Sequence, residues 1–157
     1  MGLAQAQALA DDPAVDFEAR FAQFDTFLVG RRTFELMTRP GSPPLPRGSK
    51  TFVVSRTLSQ TSPAVSVLAE ISPAAIARVR AAATKDIWLF GGSELFRNLL
   101  NQGLVDTVEV GIVPVLLGGG LPFLPPPARD VRLRLTSHRV YPSGLVSLEY
   151  AVIAPAA

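Results

Sequence analysis

The stretch DIWLFGGSELFRNLLNQGLVDTVEVGIVP, residues 86–114, decides the fold. An apolar run from Asp86 enters the glycine pair Gly91–Gly92, and SELFRNLLNQGL follows as a helix that Gly103 closes as a C-terminal cap. DTVEVGIVP is then another strand, ending at Pro114. A strand that passes through glycines directly into a helix and on to a further strand marks the α/β class. Working outward toward the N-terminus, Ser72 and Pro73 make an N-cap and first-position pair for a helix to about Ala83. AVSVL (64–68) and TFVVS (51–55) read as strands, and PGSPPLPRGS (40–49) is a loop. RRTFELM (31–37) reads as a helix stopped by Pro40. TFLVG (26–30) has the continuous apolar character of a buried parallel strand. Phe17, Phe21 and Phe24 fall at helical spacing over Val15–Phe24, behind a start at Asp11, Asp12 and Pro13.

Toward the C-terminus, VLLGGG and LPFLPPP form a long glycine- and proline-rich loop. RLRLTSHRVY and LVSLEYAVI flank Pro142–Ser143–Gly144 as an antiparallel hairpin. The expected layout is a mixed, mostly parallel sheet with helices on both faces and an antiparallel C-terminal hairpin. No internal repeat is visible. The 157 residues suit a single domain over 1–157, with 1–14 expected to be poorly ordered.

Composition narrows the function. Hydrophobic residues make up 48% of the chain and charged residues 18%, enough apolar material for a packed core. The net charge of +2 comes almost wholly from arginine, with Lys50 and Lys85 the only lysines. The arginines are scattered, which speaks against a nucleic-acid footprint. With no cysteine and the single His138, disulfides, thiolate nucleophiles and a Cys- or His-based zinc site are excluded. Nothing approaches the roughly 20 apolar residues of a membrane span, and MGLAQAQALADD lacks the positive start of a signal peptide. A cytoplasmic protein with no membrane or nucleic-acid partner is expected.

In open α/β sheets ligands sit at the carboxyl ends of strands, and three such ends carry suggestive residues. Gly30–Arg31–Arg32–Thr33 joins a strand to a helix start whose backbone N–H groups and dipole favour a phosphate. The same residues also fit an exposed helix start with two solvated arginines. Ser55–Arg56–Thr57 follows the second strand, where the planar fork of Arg56 suits a phosphate. A plain polar turn has the same pattern. Gly91–Gly92–Ser93–Glu94–Leu95 lets backbone approach a pyrophosphate closely, or simply makes a tight turn. The dinucleotide fingerprint GxGxxG is absent.

Taken in order, FDTFLVGRRTFE, KTFVVSRTL, IWLFGGSELFRNLLNQGLVDTVEV, PVLLGGGLPFL and SGLVSLEY resemble the dihydrofolate reductase-like superfamily. The branch is that of the reductase domain of the bifunctional riboflavin-biosynthesis enzyme, and the resemblance runs from about Asp25 to Ile153. It implies a three-layer dihydrofolate reductase-like fold and NADPH as cofactor. Gly30, Arg31, Arg32 and Thr33 would touch the pyrophosphate side. Ser55, Arg56 and Thr57 would lie at the adenosine end, with an arginine meeting the 2′-phosphate. Gly91, Gly92, Ser93, Glu94 and Leu95 would wrap the diphosphate near the nicotinamide. The loop Pro114–Gly120, with Pro114, Leu117, Gly118 and Gly119, would border the pocket of a small heterocyclic substrate, pteridine-like or ribosylaminouracil-like. A homodimer is implied as well, with LPFLPPP and the C-terminal hairpin as contact surfaces.

The chain departs from this pattern at its start. Relatives open with a hydrophobic inner strand and a Ser-Leu-Asp-Gly-like segment beside the nicotinamide. Nothing before Val15 looks like either, so the usual first strand is expected to be missing. No catalytic acid is assigned. Asp11, Asp12 and Asp16 are near in sequence, but fit better as carboxylates at a helix start. Two functions stay open, an NADPH-dependent reductase and a degenerate, non-catalytic NADP(H)-binding domain.

Overall fold

The computed structural model describes residues 15–42, 46–59, 62–116 and 118–153. They fall into two compact units, Phe17–Asn98 and the chain from Leu99 onward. The segment before Val15, with Asp11 and Asp12, lies outside the described residues, as does Leu117.

The first unit contains α1 (Phe17–Phe21), β1 (Phe24–Gly30), α2 (Arg31–Met37), β2 (Lys50–Val54), β3 (Val65–Leu68), α3 (Pro73–Ala82) and β4 (Asp86–Gly91), and α4 (Ser93–Asn101) leads out of it. The strands form a parallel sheet in the order β3-β2-β1-β4. Four consecutive β1 residues, Thr26 to Val29, are buried, so helices cover both faces of this strand. On one face Val29, Phe34, Val53 and Val65 form a core cluster with Met37, Leu58 and Phe90 against it. Phe21 meets Phe27 edge-on at 6.1 Å on the same side. The chain steps from β1 through α2 to β2, then from β3 through α3 back past β1 to β4. Crossovers of one hand in opposite directions place α2 and α3 on opposite faces.

One element differs from the sequence reading. The helical spacing of Phe17, Phe21 and Phe24 suggests one helix to Phe24, but the helix stops at Phe21 and Phe24 opens β1. Phe24 gains a Trp88 contact at 4.7 Å there, a tertiary gain that outweighs one more helical turn. Elsewhere the signals hold: Ser72 caps α3 by accepting from the Ala75 amide.

The amino ends of the strands are tied by side chains. Asp25 accepts from the Thr84 amide at 2.9 Å and its hydroxyl at 2.6 Å. Both lysines donate to carbonyls where helices end, Lys50 to Ala82 and Lys85 to Ala22, satisfying oxygens that have no partner within their helix.

In the second unit α4 ends in a turn where Gly103 takes φ +69° and the Leu104 amide donates to Leu99. β5 (Thr107–Ile112), β6 (Arg132–Val140) and β7 (Val146–Ile153) form an antiparallel sheet in the order β5-β7-β6. The expected hairpin is present, closed by the Tyr141 amide donating to Leu145. The seven strands are hydrogen-bonded as a four-stranded parallel ladder and this three-stranded antiparallel one. Among the described residues no ladder joins β4 to β5.

The Thr84 hydrogen bonds hold the Asp25 carboxyl well below the usual carboxylate range, with a smaller contribution from Thr26. A carboxyl whose pKa is depressed on folding stabilises the protein above its unfolded value of about 3.9 and loses that contribution as pH falls. Asp25→Asn should therefore lower the thermal midpoint at pH 7. The gap to the parent should narrow below about pH 4, measured by calorimetric melting across that range.

Candidate functional site

The strand order reverses between β1 and β4, because β1 leads to β2 on one side while the later crossover returns to β4 on the other. Such a switch point opens a crevice outside the carboxyl ends of the two strands. Gly30 ends β1 and Gly91 ends β4. A Cβ on Gly30 would lie 3.5 Å from the Gly91 oxygen and 3.5 Å from the Gly92 nitrogen. A Cβ on Gly92 would lie 3.5 Å from the Thr33 hydroxyl. The structure therefore brings Gly30, Thr33, Gly91 and Gly92 together, as the sequence suggests.

Gly91 is buried with φ +87°, and the Gly91–Gly92 peptide is cis. Gly92 is exposed and leads into α4, whose first amides have no acceptor inside the helix. Ser93 is half-buried and Glu94 exposed, whereas the Leu95 side chain is buried, leaving only its backbone for a ligand. Glu94 adds a negative charge beside this helix start.

The remaining predicted residues are placed as follows. Arg31 pairs with Glu35 at 2.7 Å, a four-residue spacing visible in the sequence that neutralises one of the two adjacent arginines. Arg32 is exposed and has no ion pair among the described residues. Ser55 is buried beyond β2, its amide donating to Leu68 at 2.9 Å. Its hydroxyl accepts from the Thr57 amide at 3.1 Å and the Leu58 amide at 2.9 Å. That hydroxyl shapes the turn presenting Arg56 and Thr57, both exposed. Pro114, Gly118 and Gly119 are exposed in the second unit. Among the described residues no three acidic or histidine side chains form a metal-holding group. No helix there is long and apolar enough to cross a membrane.

An open depression of about 500 Å³ lies at the other end of the first sheet, with Phe34, Ser42, Ser49, Thr51 and Val65 in its wall. Ser42 and Ser49 donate to the backbone oxygens of Leu36 and Pro46. It faces the amino ends of β2 and β3, away from the switch point, so the candidate site is the glycine-lined carboxyl end.

The RibD C-terminal domain family matches residues 5–147. The chain belongs to that family. Among curated proteins it is 29% identical over 150 residues to the uncharacterised protein YyaP of Bacillus subtilis, covering 88% of this chain and 80% of that one. It is also 29% identical over 113 residues to the uncharacterised YwjB of the same organism, covering 71% and 64%. Among solved structures, a Shewanella sp. PV-4 protein described as a riboflavin biosynthesis protein aligns with TM-score 0.77 at 20% identity, over 92% of this chain and 82% of that one. A pyrimidine reductase-like protein from Corynebacterium diphtheriae aligns with TM-score 0.68 at 19% identity, with the same coverage. The fold is that of the RibD-like reductases.

The two glycines of the site should respond differently to a methyl group. Gly91→Ala places a side chain at positive φ and should cost about 1–2 kcal/mol of stability. Gly92→Ala meets only ordinary contact and should stay within about 0.5 kcal/mol of the parent. Urea unfolding midpoints check both.

Proposed function

We propose that the protein is an NADPH-dependent reductase acting on a small heterocyclic substrate, pteridine-like or ribosylaminouracil-like. The observation that carries this reading is the meeting of Gly30, Thr33, Gly91 and Gly92 at the switch point of the parallel sheet. Membership of the RibD C-terminal domain family supports it.

The residues present fit such a cofactor. A diphosphate needs close backbone approach, unpaired amides and positive charge. Gly92 supplies the first, the opening turn of α4 the second, and Arg32 and Arg56 the third. Arg56, on a turn held by the Ser55 hydroxyl, would receive the 2′-phosphate. When bound, the nicotinamide supplies a hydride to a C=N or C=O carbon of the substrate, and a proton from water completes the reduction. The chain's contribution is to hold the diphosphate and so fix where the reactive ring lies.

Calorimetric titration of NADPH into the purified chain tests the reading, with binding expected and weakened at least tenfold in the well-folded Gly92→Ala variant. Arg56→Ala should reduce the preference for NADPH over NADH by about tenfold or more, the value of a charge-assisted contact. Failure of the folded parent to bind NADPH would overturn the cofactor assignment. Binding without consumption of NADPH across pterin and aminouracil substrates would favour the non-catalytic alternative.

A further inference from the structure

We propose that the depression at the amino ends of β2 and β3 is a second binding site, for a small aromatic acid that also carries an N–H or O–H donor. The described residues of its wall all belong to the first unit, and no part of the cofactor reading uses them. The volume of about 500 Å³ falls within the roughly 300–1,000 Å³ of small-molecule sites, which combine apolar walls with a few placed polar groups.

One group in this wall has no structural explanation. Thr51 lies on β2 between Phe27 of β1 and Val65 of β3, two residues before Val53. Residues opposite one another or two apart along a strand share a face, so Thr51 is the polar member of an otherwise apolar set. It is only 4% exposed. Its amide donates to Ala64 at 3.0 Å, but its hydroxyl has no hydrogen-bond partner among the described residues. The other two buried polar side chains of the described chain are both paired: Thr26 donates to Asp25, and Ser55 accepts from two amides. An unpaired buried hydroxyl costs stability that a valine of nearly the same shape would not. Thr51 alone bears that cost, and it lines the depression.

The rest of the wall sets the chemistry of the ligand. Phe34 and Val65 are buried and Met37 and Pro46 half-buried, an apolar surface for a flat ring. Ser42 and Ser49 have already given their protons, to Leu36 at 2.9 Å and Pro46 at 2.7 Å. Each therefore offers only lone pairs, which accept from a donor on the ligand. Arg39 is the one formal charge among the described wall residues. It is exposed and has no ion pair among the described residues, and its planar fork matches a carboxylate. A bare inorganic anion would meet Arg39 and leave the ring surface and the serine lone pairs unused. A ring that carries both an acid and a donor meets all three and gives the Thr51 hydroxyl a partner.

Indole-2-carboxylate is the probe, titrated into the isotope-labelled full chain and followed by amide NMR. Saturable shifts are expected at Ser49, Thr51 and Val65, and none at Gly91 and Gly92. Arg39→Gln, at an exposed position, should keep the parent's spectrum and weaken binding about tenfold or more, the worth of a charge-assisted contact. Replacing the probe by neutral indole-2-carboxamide should do the same. Thr51→Val should weaken binding yet raise the thermal midpoint of the free protein, because it removes an unpaired buried hydroxyl. NADPH affinity should be unchanged by saturating indole-2-carboxylate. A folded parent whose Ser49, Thr51 and Val65 amides do not respond, a carboxamide that binds as well as the acid, binding indifferent to Arg39→Gln, a lowered thermal midpoint in Thr51→Val, or competition with NADPH would each overturn the proposal.

Discussion

Parallel hydrogen bonding of β1 to β2 on one side and β4 on the other is the constraint on which the first unit depends. Because the chain visits β2 and β3 before β4, it must cross back over β1, and both faces of β1 become covered. That explains why Phe27 and Val29 are fully buried, along with Thr26. It also explains why the crevice falls at the ends of β1 and β4 and nowhere else in this sheet. Glycine at the end of β4 follows from the φ of +87° at Gly91, whereas a Cβ on Gly30 would make only ordinary contact with the Gly91–Gly92 peptide.

The two ends of this sheet divide the work between them. At the amino ends, side chains are spent on fixing the chain: Asp25 on Thr84, Lys50 on Ala82 and Lys85 on Ala22. At the carboxyl ends side chains are withdrawn, and backbone and exposed arginines remain. Ser55 belongs to both regimes, because its hydroxyl is consumed by the turn whose exposed tip carries Arg56.

Local signals made much of this legible from the residues. The apolar run ahead of Gly30, the Ser72–Pro73 start and the Gly103 stop each set one element, because caps and turns act within a few residues. The glycine pair marked the site for the same reason. What escaped the sequence depends on partners far along the chain. Phe24 leaves helical periodicity for Trp88, sixty-odd residues later. The burial of the Ser55 hydroxyl in its own turn and the lysine ties to helix ends required the fold. The division of seven strands into two ladders likewise has no local signature. The Arg31–Glu35 pair was within reach, since its spacing is helical and the helix itself was expected.

That pair changes the electrostatics of the switch point. Arg31 is matched by Glu35, and Glu94 places a further negative charge at the start of α4, so the arginine-rich motifs hold less net positive charge than their composition suggests. Within the strand-end motifs, Arg32, beyond β1, and Arg56, beyond β2, are exposed and have no ion pair among the described residues. They stand on separate strand ends, not on one helix start. A single small anion would need one of them. A ligand with two separated anionic groups, a diphosphate and a further phosphate, would use both, while Glu94 would discourage anions that bind only at the α4 start. The separation of the two arginines is thus consistent with the proposed cofactor, whose two anionic groups lie apart, by an argument separate from the glycine geometry.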